Sequence, residues 1–339
     1  MEKRKLGSSS LELPVVTFGA WAIGGLFWGG SDDRDALEAI RATIDSGIDA
    51  IDTAPIYGCG HSEELVGKAL TGQRGKVKIL TKCGLLWDDR SGEFYFELKE
   101  TPFGHPVTVY KNVRADSILK ECEASLRRLR TDYIDLYQVH WPSPTAPAEE
   151  TMGALNRLKQ QGKIREIAVS NYSSAQIEEA RKYANVVSDQ IKYNLLERDI
   201  EKDALPYCHR NNIGVIAYSP MAMGILTGKV TEDREFPATD FRKGMPLYAK
   251  HNRTPILQAL DKIRPIAEAH NTGLAQLAVA WVLAQPGVTT ALVGARNAAQ
   301  VKQNAQAAQV KLTPAEISEI TAVFDSLRDL KNRPAPSQP

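Results

Sequence analysis

Ile51-Asp52-Thr53-Ala54-Pro55-Ile56-Tyr57-Gly58 ends a short apolar run in a carboxylate and delivers a phenol five residues later. The pattern recurs. Lys82 follows Val77-Lys78-Ile79-Leu80-Thr81, and His140 follows Tyr133-Ile134-Asp135-Leu136-Tyr137-Gln138-Val139, so three successive predicted strands each end in an ionisable residue. Parallel strands would bring those ends to one face. A phenol with an ordinary pKa of about 10 is a weak proton donor at neutral pH unless a fixed positive charge lowers it. Lys82 is expected to be that charge, with Asp52 holding it. His140 is then placed to hydrogen-bond the oxygen being protonated.

Outward from this stretch the chain alternates. Predicted strands cover 15–18, 48–52, 77–81, 133–140, 164–169, 186–190, 213–218 and 288–293. Predicted helices fill the gaps at 33–46, 63–70, 114–129, 149–161, 175–183 and 201–211, with a helical region at 255–284 and two closing helices. In the first helix Ala36, Leu37, Ile40 and Ile44 recur at helical spacing. Two starts carry their own signature: Ser173 with Gln176, and Thr313-Pro314 with Glu316, read as N-caps answered from the third helical position. Residues 4–13 read as a hairpin ahead of the repeat. Long segments at 84–112 and 219–254 interrupt the rhythm, and the first is expected to cover something. Eight strand-then-helix units with no linker between halves predict an α/β fold, a (β/α)8 TIM barrel with an N-terminal β-hairpin and two extra C-terminal helices. It is read as one domain over 1–330, followed by a disordered tail over 331–339. A doubly wound open sheet is the alternative, disfavoured by the count of eight and by the lack of a phosphate-binding fingerprint after the first strand.

Composition removes whole classes of partner. The 339 residues carry 42 basic and 41 acidic side chains, a net charge of +1, so there is no electrostatic case for nucleic acid or an anionic membrane. The basic start runs into Ser8-Ser9-Ser10 rather than an apolar core, and no apolar run is long enough to span a bilayer; a cytoplasmic protein is expected. Cys59, Cys83, Cys122 and Cys208 are far apart, with no Cys-x-x-Cys, and read as reduced thiols. Cys59-Gly60-His61 offers two metal ligands without a second pair, so no metal is expected.

Asp52-Thr53-Ala54 with Tyr57, Thr81-Lys82 and Gln138-Val139-His140-Trp141-Pro142 resemble the tetrad motifs of the aldo-keto reductases. The resemblance continues in order through Ala168-Val169-Ser170-Asn171, Gln190, Ala217-Tyr218-Ser219-Pro220 and Gly294-Ala295-Arg296-Asn297, nearly the whole chain, and leans toward the bacterial general-stress and inositol-operon branch. It implies a (β/α)8 barrel and a nicotinamide cofactor, NADPH or NADP⁺ with NADH also admitted. The reaction implied is reversible hydride transfer between that cofactor and a small-molecule aldehyde or ketone. Tyr57 would be the general acid, Lys82 and Asp52 its supporting pair, and His140 the residue that orients the carbonyl, in agreement with the reading from first principles.

The resemblance further assigns Ser170, Asn171 and Gln190 to the nicotinamide carboxamide and Tyr218, followed by Ser219 and Pro220, to the face of the nicotinamide ring. Gly224, Leu226, Gly228 and Lys229 would lie over the pyrophosphate. That segment looks like a P-loop but is one residue short and has Val230 where magnesium needs a hydroxyl. Likewise Glu63 occupies the third glycine position of a dinucleotide fingerprint at 58–63, so a Rossmann site is rejected. After the last strand, Gly294 leads to Arg296, whose guanidinium suits a 2′-phosphate, while Gln300 and Asn304 on the next helix would reach the adenosine end. Gln300 stands where many relatives of the implied family carry arginine. Trp21, Trp28, Trp87 and Trp141 are expected to wall the substrate pocket, and Trp281 to be core. The competing function is a cofactor-occupied sensor or channel-associated subunit on the same fold. The sequence leaves the substrate, the direction of reaction and the choice between monomer and homo-oligomer open.

Overall fold

Two short strands, β1 (Lys3–Lys5) and β2 (Glu12–Pro14), pair antiparallel as the expected hairpin. Its turn needs glycine at Gly7, where φ is +54° and an added Cβ would come within 2.2 Å of the Val187 carbonyl oxygen. In the computed structural model, which describes residues 1–328 and 330, the chain then enters the alternation. β3 (Val16–Gly19) is followed by α1 (Asp33–Asp45), β4 (Ala50–Asp52), α2 (His61–Ala69) and β5 (Lys78–Cys83). Within the interruption lie β6 (Leu85–Leu86), β7 (Glu93–Leu98) and β8 (Val107–Lys111), an antiparallel three-stranded sheet where only a loop was expected. α3 (Ala115–Leu129), β9 (Ile134–Val139), α4 (Ala148–Gln160), β10 (Ile164–Ser170), α5 (Ser174–Arg181), β11 (Val186–Lys192), α6 (Ala204–Arg210) and β12 (Gly214–Tyr218) continue the repeat. α7 (Lys250–Ala269), α8 (Leu274–Leu283), β13 (Val288–Gly294), α9 (Ala298–Ala305) and α10 (Pro314–Asp325) complete it.

The eight parallel strands close in the order β3-β4-β5-β9-β10-β11-β12-β13, with β13 returning to β3. The (β/α)8 barrel is therefore the fold. The helices outside the eightfold repeat, α7 and α10, pack on each other. Both capping signatures form: Ser173 and Thr313 accept from the backbone of Gln176 and Glu316, whose side chains reach back. The expected tail, 331–339, lies outside the described residues.

Two helices also differ from expectation. The helix expected at 201–211 is a 3-10 turn (Asp199–Lys202) followed by α6, because Pro206 has no N–H for the Lys202 carbonyl and its ring crowds that turn. α7 starts at Lys250, earlier than 255, and carries Pro255 and Pro265 inside it.

The barrel interior explains how the site is placed. Ala50, Leu80, Leu136, Ala168, Ile216 and Leu292 form one buried layer, with Leu6 and Leu13 of the hairpin sealing the end below it. A strand returns to the same face every second residue. Two positions further along the same strands stand Asp52, Lys82, Gln138, Ser170, Tyr218 and Gly294. An apolar floor under a polar ring is thus built by alternation alone. Trp281 is wholly buried, as expected for core. No helix among the described residues is long and apolar enough to cross a membrane.

A buried acid anchors the inserted sheet. Glu121 on α3 accepts from Gly84 N–H at 2.8 Å and from Ser117 Oγ at 3.1 Å, and Gly84 in turn accepts from Asn112 N–H, so both roots of the insertion meet there. Burial pushes the Glu121 carboxyl up to about 8, against weaker lowering by these hydrogen bonds and Arg128. Its folded pKa lies above the unfolded value of about 4.3, so the native state binds more protons between those pH values and stability must fall as pH rises through that window. The expected slope is on the order of 1 kcal/mol per pH unit in the middle of that window and flattens as pH approaches 8. Denaturant titrations across that range should show it, and Glu121→Gln, which stays neutral, should flatten it.

Candidate active site

Lys82 is the centre of the arrangement. Its side chain is completely buried, and its three ammonium donors reach Asp52 Oδ1 at 2.6 Å, the Thr53 carbonyl at 2.9 Å and Tyr57 Oη at 3.3 Å. No donor is left over. Because Tyr57 Oη accepts from Lys82, the phenol's own proton is left for another partner. The second Asp52 oxygen is held by the side-chain amides of Gln138, at 3.1 Å, and Gln190, at 2.8 Å. Gln138 was not singled out from sequence, although its place two residues before His140 puts it on the same face of β9.

Tyr57 sits in a turn after β4 that locks against the first loop. Gly58 there has φ +70°, and a Cβ would meet the Gly24 carbonyl oxygen at 2.2 Å, so only glycine permits the approach. The His140 ring stands edge-on to the Tyr57 ring, 5.9 Å between centroids. Burial, and then the Lys82 charge, hold the His140 imidazole well below its usual pKa, so it is neutral at pH 7. Its Nδ1 is buried with no hydrogen-bond partner among the described residues.

One expectation is corrected. Lys82 was to lower the Tyr57 pKa, yet burial pushes the phenol well above its ordinary value, and the Asp52 charge adds to that rise. Desolvation wins because the hydroxyl lies at the floor of a pocket, beside a carboxylate as well as an ammonium. Tyr57 is thus firmly protonated before any reaction.

The tetrad opens into a cavity of about 730 Å³ at the strand ends. Asp52, Tyr57 and His140 line it, as do Ser170, Asn171, Gln190, Tyr218, Ser219, Pro220, Gly224, Lys229, Gly294, Arg296, Gln300 and Asn304. Tyr218 Oη donates to Asn171 Oδ1 at 2.9 Å, and Asn171 Nδ2 donates to the His140 carbonyl at 3.1 Å. Arg296 Nη2 donates to the Gly30 carbonyl at 2.6 Å, while Gln300 Oε1 accepts from Arg296 N–H. Of the expected pocket tryptophans, Trp21, Trp28 and Trp141 line the cavity.

Three expected residues do not. Trp87 is half-buried against the cluster of Ile56, Leu85 and Val109, with the guanidinium of Arg128, a residue of α3, 5.8 Å from its ring, so its indole is spent on packing beside the cavity rather than on its wall. Leu226 is wholly buried in the core. Gly228 ends the turn Ala222–Thr227 with φ +72°, where a Cβ would strike Leu274, so its role is to terminate that turn. The segment around them is strained: Ser219, Ala222 and Met223, none of them glycine, all have positive φ. Tyr248 Oη fastens it, donating to the carbonyls of Ala222 at 3.0 Å and Met223 at 2.8 Å. Sequence reading also missed Phe27, Tyr95, Phe96 and Phe241, which line the cavity from loops whose course no periodicity reveals.

A sequence model described as the Aldo/keto reductase family matches residues 15–325. The chain belongs to that family. This aldo/keto reductase is 37% identical to the Aldo-keto reductase YhdN of Bacillus subtilis over 329 residues, 96% of this chain and 94% of the relative. It is 35% identical over 333 residues to a protein of Escherichia coli named NADH-specific methylglyoxal reductase, 96% of this chain and 99% of that one. Among solved structures, the glycerol dehydrogenase AKR11B4 from Gluconobacter oxydans superposes with a TM-score of 0.85 at 38% identity, covering 99% and 98% of the two chains. As a family member the reductase is an oxidoreductase of carbonyl and alcohol groups and uses a nicotinamide cofactor.

Proposed function

We propose that the protein is a carbonyl reductase in which Tyr57 protonates the carbonyl oxygen, working with NADPH in preference to NADH. The observation that carries the reading is the exhausted valence of Lys82, which leaves the proton of Tyr57 as the one to be donated into the cavity. When bound, the nicotinamide supplies a hydride to the carbonyl carbon. Tyr57 Oη gives its proton to the carbonyl oxygen, and the Lys82 ammonium, 3.3 Å away, balances the phenolate that remains. Asp52 fixes Lys82, and Gln138 and Gln190 fix Asp52. Neutral His140 donates a hydrogen bond to the same oxygen without competing as an acid. Run in reverse, the phenolate takes the hydroxyl proton of an alcohol.

The cavity residues fit the cofactor. Tyr218 offers an aromatic face beside the polar cluster of Ser170, Asn171 and Gln190, and Gln190 spends its Nε2 on Asp52 and Gln138, keeping its Oε1 for an amide donor. Arg296 supports a phosphate at the adenosine end, although it first has to leave the Gly30 carbonyl. Four free thiols agree with a cytoplasmic setting.

Cofactor oxidation by the purified protein against a panel of aldehydes, dicarbonyls and ketones tests the reading. NADPH is expected to support a kcat/KM at least tenfold that with NADH, and Arg296→Ala is expected to bring the two within threefold. Higher efficiency with NADH would reverse the cofactor preference. Tight cofactor binding with no turnover in either direction would replace the enzyme by a sensor.

A further inference from the structure

The wall around Tyr57 is aromatic, and it closes on itself. The Trp21 ring lies 6.2 Å from Tyr57 and 5.6 Å from Phe27, and Phe27 lies 6.1 Å from Phe96. Phe96 lies 5.0 Å from Tyr95, and Tyr95 lies 5.7 Å from Trp141. Trp141 is bonded in sequence to His140, whose ring stacks edge-on to Tyr57 and completes the circuit. No member of this collar is charged at neutral pH.

A backbone irregularity makes the collar possible. In β7 the pairing runs Phe94 to Tyr110 and then Phe96 to Val109, so Tyr95 is an extra residue, a β-bulge. Neighbours in a regular strand point to opposite faces, whereas a bulge re-aims one of them. Here both Tyr95 and Phe96 line the cavity, while Phe94 remains exposed. The charged groups of the cavity are engaged or placed elsewhere. Asp52 is paired with Lys82, Arg242 is paired with Asp240 and lies over Trp28, and Lys192 is paired with Glu197. Lys229 and Arg296 belong to the proposed cofactor segments, and Arg234 is exposed, with its guanidinium 5.9 Å from the Phe236 ring and outside the collar.

Resting on the carbonyl-reductase reading, we infer that the insertion Leu85–Lys111 is the specificity element of this chain and that its collar selects aldehydes carried on a flat apolar group, aryl or conjugated alkenyl, over polyhydroxylated or anionic ones. A flat ring passes between aromatic faces and edges at stacking distance, with the carbonyl leading to Tyr57. Hydroxyls or a carboxylate forced through the same collar lose water and meet mostly ring faces, which replace few of the lost hydrogen bonds.

The test compares kcat/KM for benzaldehyde, cinnamaldehyde, glyceraldehyde and succinic semialdehyde in wild type, Phe96→Ala, Tyr95→Ala and Phe96→Tyr, with NADPH and NADH each supplied at saturation. Wild type should favour the two flat aldehydes by tenfold or more. Either alanine variant should shrink that preference to within threefold, and Phe96→Tyr should keep it. Wild-type preference for the polar pair, or a preference untouched by both alanine variants, overturns the collar while leaving the reductase standing. No turnover of any of the four with either cofactor overturns the reductase reading, and the inference built on it falls too.

Discussion

Tyr57→Phe is expected to lower kcat by about 10³-fold, within the range of 10² to 10⁴ that a positioned general acid contributes. The substitution removes one oxygen and little else. Phenylalanine keeps the ring that packs 6.2 Å from Trp21 and 5.9 Å from His140, so the pocket should hold its shape. Binding of NADP⁺, followed by titration calorimetry, should change by less than threefold, because the proposed role of the lost hydroxyl is toward the carbonyl rather than the cofactor. That split between chemistry and binding distinguishes a proton donor from a residue that shapes the cofactor site. A kcat within tenfold of wild type would mean that the proton comes from elsewhere. Since burial keeps the phenol protonated, the wild-type reduction rate should also show no loss from ionisation of Tyr57 between pH 6 and 9.

Lys82→Met should be the most costly single change to stability. Lys82 is completely buried and Asp52 nearly so, and their contact is 2.6 Å. Methionine fills similar space but leaves the Asp52 carboxylate without its counter-ion in the barrel interior, a type of change that costs roughly 3–5 kcal/mol. Gln138 and Gln190 still donate to one carboxylate oxygen, which should hold the loss toward the lower end. Adding Asp52→Asn removes the stranded charge and should recover about half of the lost stability without restoring turnover. Urea unfolding followed by tryptophan fluorescence would measure both. A single-variant loss below about 1 kcal/mol would show that water or a protonated Asp52 relieves the charge at little cost.

What the chain discloses before folding depends on whether a feature is periodic. The barrel is legible because apolar runs such as 77–81, the mark of strands buried on both faces, recur between segments of helical spacing, and Asp52, Lys82 and His140 are legible because they sit where such runs stop. The capping boxes at Ser173 and Thr313 are legible because their partners are three residues away. The inserted sheet is not: Glu93–Leu98 has a bulge where a regular pattern would have announced it, and its pairing with Val107–Lys111 spans a loop with no fixed turn signature. Trp87 was misplaced for the same reason. The direction of the Tyr57 pKa shift was misread because sequence shows which charges are near in strand order, whereas burial is a property of the closed cavity. Gln138 escaped notice because an amide between two apolar residues looks inert until the carboxylate it holds is in place.

The polar ring stands two residues above the apolar floor on the same strands, and that offset ties chemistry to strand alignment. A slip of one residue in β5 would turn Lys82 out of the barrel and bring Thr81 or Cys83 in, at little change in compactness or helix content. Returning turnover during refolding is therefore a gauge of correct alignment rather than of collapse. A population that has regained its circular dichroism but not its activity would be a population of shuffled staves.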